Sequence, residues 1–175
     1  MRKLKTYELQ RRSVEQYQQT PKLPIVVILD NLRSMHNVGA VFRSSDAFLI
    51  QKIILCGISP YPPHRQIRKS ALGSEESVNW EYWNSALEAV KQYKEEGYGL
   101  IGVEQTDQSK SLESFKWEGF SKTAIIFGNE VEGLSESLLE WLDEALDIPM
   151  EGTKHSLNVG VTTGIVLWEA YKNLQ

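Results

Sequence analysis

Apolar residues in this chain fall into short β-branched runs separated by longer stretches with helical spacing. Ile25–Asp30 (IVVILD) is apolar at five of six positions and predicts a strand buried on both faces. Lys52–Cys56, Tyr98–Val103, Thr123–Phe127 and Ala145–Ile148 repeat that signal more briefly. Helices are expected between them. These are Val38–Phe48, Asn84–Glu96 closed by Gly97, Ser135–Asp143 with Ser135 as its cap, and Ser156–Asn173 with Leu157, Val161, Ile165 and Trp168 on one stripe. Residues 3–19 are polar with sparse apolar positions and read as a weakly amphipathic helix, set apart by Pro21 and Pro24. Residues 57–79, with Pro60, Pro62 and Pro63, read as a connection long enough to suggest function. Strand and helix alternate, so the expected class is α/β, a mainly parallel sheet flanked by helices. The expected organisation is a basic N-terminal helical extension, 1–24, and one domain, 25–175.

Composition narrows the class of protein. With 41% hydrophobic and 24% charged residues the chain sits near the globular average and can build a core without staples. Its one cysteine, Cys56, lies in an apolar run and reads as a small core residue rather than a nucleophile. No stretch approaches the ~20 apolar residues of a membrane helix, and the start lacks an apolar signal core, so a cytoplasmic protein is expected. The net charge is −4, which taken whole argues against a nucleic-acid partner. Its distribution does not. Residues 1–24 carry six basic against two acidic side chains, leaving thirteen against twenty-one elsewhere. A second basic cluster, His64, Arg65, Arg68 and Lys69, follows the prolines. Basic patches on an acidic body suit phosphate contacts, although a solvated helix face has the same pattern.

In parallel sheets ligands sit outside the carboxyl ends of strands, which directs attention to the segments after Asp30, Val103, Phe127 and Ile148. Gly97–Gly102 matches GxGxxG, but it follows a helix and enters a strand, the reverse of the dinucleotide-binding order, and reads as a turn plus strand glycines. His36, His64 and His155 are scattered and suggest no metal site. After the first strand, Asn31–Ser44 places Asn37 as a helix cap, Gly39 where a backbone or ligand can approach, and Arg43 more than one turn in. After Phe127, two glycines bracket the acids Glu130 and Glu132. After Ile148, small polar residues lead to Ser156, a second expected cap. Each loop alone is compatible with an ordinary turn.

Together and in this order, NxRxxxNVGAxxR, FGNExxGLS and IPMxGxxxSLNV resemble the three signature motifs of the SpoU/TrmH RNA 2′-O-methyltransferases, in the SPOUT superfamily. The resemblance runs from about Asp30 to Ala170; Gly160 departs from it, standing where the family usually has serine. The resemblance implies a C-terminal deep trefoil knot over about Phe127 to Val166, holding S-adenosylmethionine in a bent form. It implies that backbone groups near Glu104, Gly128, Ile148, Met150 and Leu157 bind this donor. It gives Arg43 the central catalytic role, with Asn37, Glu130, Ser156 and Asn158 orienting Arg43, ribose and phosphate, and no metal. Arginine is a poor base. Arg43 is therefore either a base made competent by a phosphate and the cationic donor, or electrostatic support for the developing alkoxide.

The partner implied is RNA, either tRNA or rRNA, with Arg11, Arg12, Arg33, Arg65, Arg68 and Lys69 as candidate contacts. The short basic extension tilts the reading toward tRNA. The resemblance also implies a homodimer whose active sites use residues of both subunits, with the closing helix (Trp168, Tyr171) and the first motif helix as candidate interface faces. Two other readings stand beside this one: a catalytically silent RNA-binding module on the same scaffold, and a nicotinamide or flavin enzyme using Gly97–Gly102.

Overall fold

A computed structural model describes residues 1–9 and 11–174 of the chain. Its strands are β1 (Leu23–Asp30), β2 (Ile50–Cys56), β3 (Trp80–Trp83), β4 (Gly99–Val103), β5 (Lys110–Ser111), β6 (Thr123–Phe127) and β7 (Glu144–Asp147). They form one sheet in the order β3-β2-β1-β6-β4-β7-β5, with every neighbouring pair parallel. The helices are α1 (Val14–Gln19), α2 (Met35–Ala47), α3 (Arg65–Ala71), α4 (Ser74–Ser77), α5 (Ala86–Glu95), α6 (Glu136–Leu139) and α7 (Val159–Leu174).

Side chains alternate across a strand, so each central strand supplies two cores. Ile25, Val27 and Leu29 of β1, with Ile125 and Phe127 of β6, meet Val38, Val41 and Phe42 of α2, Ile67 of α3 and Val166, Leu167 and Ala170 of α7. Val26 and Ile28 of β1, with Ile54, Ala124 and Ile126, meet Ala89, Val90 and Tyr93 of α5 and Leu138 of α6. Both faces being covered explains why these strands read as continuous apolar runs. Cys56 lies in the second core, where burial pushes its thiol up to about 12 and leaves it un-ionised at neutral pH. The GxGxxG segment is packing. Gly97 turns the chain after α5 with φ +80°, and a Cβ at Gly99 or Gly102 would run into Phe120 or into Leu142 and Leu134.

Several local expectations are corrected. The helix expected over 3–19 is a 3-10 turn (Thr6–Glu8) followed by α1, which starts at the reciprocal Ser13–Gln16 capping box. Gln10 lies outside the described residues. The connection 57–79 contains α3 and α4, and the half-exposed edge strand β3 follows it. In RQIRKSA only Ile67 and Ala71 face inward, too few for a periodic signal. What seats α3 is Gly39 of α2: Ile67 O and Ser70 Oγ occupy the space a Cβ there would need. Gly39 thus admits protein backbone, not a ligand. The two-residue β5 was also not expected. The helix expected over Ser135–Asp143 shortens to α6, and Ser135 makes no side-chain cap bond to it.

The closing helix differs most. It begins at Val159, capped not by Ser156 but by Asn158, whose Oδ1 accepts the Gly160 N–H at 3.0 Å. Gly160, Thr163, Val166, Leu167 and Ala170 face inward. Of the expected stripe, Leu157 lies before α7, and Val161, Ile165 and Trp168 are 53%, 38% and 48% exposed. Both faces of this helix are apolar, so periodicity alone does not choose between them. Close packing does: a Cβ at Gly160 would sit 3.0 Å from Ala40 Cβ on α2, so the glycine face lies against its neighbour.

Ile28 is fully buried at the centre of the sheet. Ile28→Ala is expected to destabilise the fold by about 2–5 kcal/mol, seen as a lower urea midpoint with an unchanged slope.

Candidate active site

The three motif loops leave the carboxyl ends of β1, β6 and β7 on one rim of the sheet and are tied to one another there. Glu130 makes the central connection. Its carboxylate accepts the backbone N–H groups of Arg33 (2.8 Å) and Ser34 (3.0 Å) and the side-chain amide of Asn37 (2.9 Å). Asn37 Oδ1 then accepts Asn158 Nδ2 at 3.0 Å, and Asn158 caps α7. One chain of hydrogen bonds therefore runs from the second motif through the first to the third. Asn37 is buried inside α2 and is not its cap. Ser34 caps α2, its Oγ accepting the Asn37 N–H.

Other residues on this rim hold the loops in shape, and the sequence reading gave no role to Asp30 or Asn129 among them. Asp30, 1% exposed, accepts Ser135 N–H at 2.9 Å and Asn31 Nδ2 at 2.8 Å. Asn129 donates to Asn31 O at 2.7 Å, and its Oδ1 accepts Val131 N–H at 2.9 Å. The signal available in sequence was an acid ending an apolar strand and an asparagine opening a turn, where its side chain bonds the backbone two residues on. Glu104 Oε2 accepts Leu134 N–H at 2.9 Å. Gly128 and Gly133 are required, because a Cβ at the first would overlap the Gly133–Leu134 backbone and one at the second the Glu104 carboxylate. Gln105 Nε2 donates to His155 O at 2.9 Å and tethers the exposed 151–158 loop.

These loops enclose a cleft of about 510 Å³. All five expected donor-binding residues line it, namely Glu104, Gly128, Ile148, Met150 and Leu157, as do Glu130, Ser156 and Asn158. Val103, Phe127, Leu146 and Val159 supply apolar walls. Among the described residues the lining carries four carboxylates, those of Glu104, Glu130, Glu132 and Asp147, and no lysine or arginine. An acidic cleft with apolar walls favours a cationic ligand and disfavours a phosphate.

Arg43 is not brought to this cleft. It lies six residues beyond Asn37 on α2, roughly 120° around the helix and about 9 Å along it. Its exposed side chain lines a separate concavity of about 1120 Å³, together with Arg11, Arg12, Asp46 and residues of α4. Arg11 and Arg12 reach it because α1 docks through buried Tyr17, whose hydroxyl lies 3.5 Å from Ser45 O. Arg33 is exposed on the first motif loop. Arg65, Arg68 and Lys69 are exposed on α3, with Arg68 3.4 Å from Glu76.

Burial pushes the Glu130 carboxyl up, but the hydrogen bonds from Arg33 N–H, Asn37 and Ser34 N–H outweigh it and leave it below its ordinary value. A group whose value falls on folding adds stability above its unfolded value, about 4.3, and loses it as pH drops through the lower folded value. Intrinsic-rate-corrected amide protection at Arg33 and Ser34 is therefore expected to hold from pH 7 to 5 and to fall below about pH 4. Glu130→Gln is expected to remove that pH dependence and to lower protection at neutral pH.

Comparison with known proteins agrees with this geometry. The chain is 32% identical over 149 residues to the 23S rRNA (guanosine-2′-O-)-methyltransferase of Escherichia coli K12, covering 85% of this chain and 60% of that protein. It is 30% identical over 155 residues to the tRNA (guanosine(18)-2′-O)-methyltransferase of Aquifex aeolicus, covering 85% of this chain and 69% of that one. The structure of the AdoMet-bound rRNA methyltransferase of Sinorhizobium meliloti superposes with a TM-score of 0.80 at 25% identity, over 95% of this chain and 62% of that chain. This chain thus spans about three fifths of the E. coli relative. The sequence pattern of the SpoU rRNA Methylase family matches residues 24–168, and the chain belongs to that family.

Proposed function

We propose that this chain is an S-adenosylmethionine-dependent RNA 2′-O-ribose methyltransferase acting on tRNA or rRNA, and that it works as a homodimer. The observation that carries the reading is the separation of charge between two concavities. Three motif loops close an acidic cleft suited to a sulfonium cation, while Arg11, Arg12 and Arg43 gather in a different concavity suited to RNA phosphates. The relatives named above act on rRNA and tRNA, and the S. meliloti protein holds AdoMet.

The cleft fits the methyl donor by size and by lining. Ligand sites of this kind span ~300–1,000 Å³, with apolar walls and a few placed polar groups. Backbone groups at Glu104, Gly128, Ile148, Met150 and Leu157 would hold it, which explains how apolar residues serve as binding positions. When bound, the donor supplies an activated methyl on a positively charged sulfur; the ribose O2′ gains that methyl and loses its proton. Glu130, Asn37 and Asn158 keep the loops fixed around the cleft, so that alignment is set before the substrate arrives. Ser156, exposed on the cleft lining, would orient the ribose. Arg43 acts on the ribose hydroxyl, as its base or as support for the developing alkoxide. Neither role needs a metal, and no metal-binding cluster of His, Cys, Asp or Glu occurs among the described residues.

Two features support the dimer. Arg43 faces away from the cleft of its own chain, so a second subunit is needed to bring the two together. The exposed Val161, Ile165 and Trp168 of α7 form an apolar stripe of the kind that a partner covers. Trp168 stacks on Tyr171 with centroids 5.9 Å apart, a preformed aromatic anchor. A deep trefoil knot over about Phe127 to Val166 is part of the same proposal. It is supported by the order of the sheet, where β6 lies between β1 and β4, and by the packing of α7 on α2. The basic segment 1–24 and residues Arg33, Arg65, Arg68 and Lys69 extend the phosphate-binding surface.

Arg43→Ala is expected to lower methyl transfer at least ~10²-fold, the scale of losing a charge-stabilising donor. Its affinity for S-adenosylmethionine in calorimetry should match the parent. Loss of that affinity would make Arg43 structural, and parent protein that binds no S-adenosylmethionine would make the chain an RNA-binding module. Trp168→Glu is expected to shift sedimentation from dimer to monomer with the far-UV spectrum retained, and transfer should be lost with it.

A further inference from the structure

Three aromatic side chains stand together at one end of the sheet. Tyr61 stacks on Trp80 with ring centroids 6.0 Å apart and planes 27° from parallel, and its ring lies 4.9 Å from Tyr82. Tyr61 and Tyr82 are 50% and 41% exposed. β3, which carries Trp80 and Tyr82, is the terminal strand. Strand alternation puts Trp80 and Tyr82 on one face, and Trp80 packs against the core that α2, α3 and α7 cover. Glu81 points the other way, where it pairs with Lys52 at 2.6 Å.

Two further facts give this cluster a context. The aromatic cluster adjoins α3 along the chain, Tyr61 standing four residues before Arg65, and the exposed Arg65 and Lys69 have no ion-pair partner among the described residues. Tyr61 also belongs to the loop that braces the first motif. Ile58 N–H donates to Asn31 Oδ1 at 3.1 Å, Leu32 N–H to Ser59 Oγ at 2.9 Å, and the Tyr82 hydroxyl to Gly57 O at 2.9 Å. The aromatic edge therefore lies on the same rim as the loop that carries Arg33.

We propose that Tyr61, Trp80 and Tyr82 form a stacking platform for unpaired nucleotides of the RNA, with Arg65 and Lys69 taking the adjoining phosphates. This rests on the RNA reading given above and adds to it where a strand next to the modified ribose lies. Every base has a π face, so such a platform holds unpaired RNA without reading its sequence, and each stacked base is worth ~1–3 kcal/mol. The positive helix beside exposed tyrosines favours a polyanion over a second protein surface.

The test is fluorescence anisotropy of a labelled oligouridylate with the full chain. Tyr61→Ala is expected to weaken binding about 5- to 100-fold, and Tyr61→Phe to keep it within about twofold. S-adenosylmethionine affinity should be unchanged in both. If Tyr61→Ala binds as the parent does while Arg65→Ala weakens binding, the platform is wrong and the RNA reading stands. If the parent binds no oligouridylate, the platform falls, and parent protein that also binds no folded tRNA or rRNA fragment removes the RNA reading with it. A Tyr61→Ala protein with altered sedimentation and unaltered RNA affinity would make the edge a protein contact and overturn the proposal.

Discussion

The Glu130 carboxylate gathers donors from a segment more than ninety residues away in sequence and fixes the geometry of the whole rim. Through Asn37 it reaches Asn158, and through Asn158 it sets where α7 begins. Loops at strand ends are free to wander unless their polar groups are satisfied, and here each satisfies another. The two glycines beside Glu130 serve the same end: they let the second motif fold back on itself, with Asn129 and Gly133 bridged, so that the carboxylate arrives in place. Removing the side chain leaves three donors short of their acceptor at once.

That same network divides α2 into two working faces. Asn37 is drawn inward to Glu130 and Asn158, which line the cleft, and the helical twist then carries Arg43 around to the other side. An acidic cleft and an arginine-lined concavity on opposite flanks of one helix make electrostatic sense. In the proposed reading the cation site stays free of positive charge and the phosphates stay away from four carboxylates. The arrangement leaves each chain with two halves that do not face each other. In the proposed dimer, the apolar stripe on α7 is the surface on which a second copy completes them.

How much was legible in sequence depends on how local the signal was. The buried strands declared themselves because both faces are covered, so every residue of IVVIL is apolar. The strand-end loops were legible as places for a ligand, while the five donor-binding positions came from the family resemblance; all five line the cleft. Caps were misplaced where long-range contacts override local preference: Asn37 has cap chemistry, but its side chain is held by Glu130 and Asn158, which leaves the cap to Ser34. The face of α7 was unreadable, since its stripe is as apolar as its core side and only the fit of Gly160 on Ala40 decides between them. β3 was missed because an edge strand of WEYW is half exposed and keeps no clean alternation. The separation of Arg43 from the cleft was also beyond the motif pattern, which gives spacing along the chain and says nothing about which subunit a residue serves.

The central claim is that each active site joins Arg43 of one subunit to the cleft of another. Mixed dimers test it most directly. Arg43→Ala subunits lack the arginine, and Met150→Trp subunits have the cleft filled, so each pure population is expected to be inactive. Random pairing makes about half of all dimers mixed, each with one complete site, so the mixture should recover about a quarter of the parent's methyl-transfer rate. A mixture that contains mixed dimers and stays as inactive as its components would contradict the account.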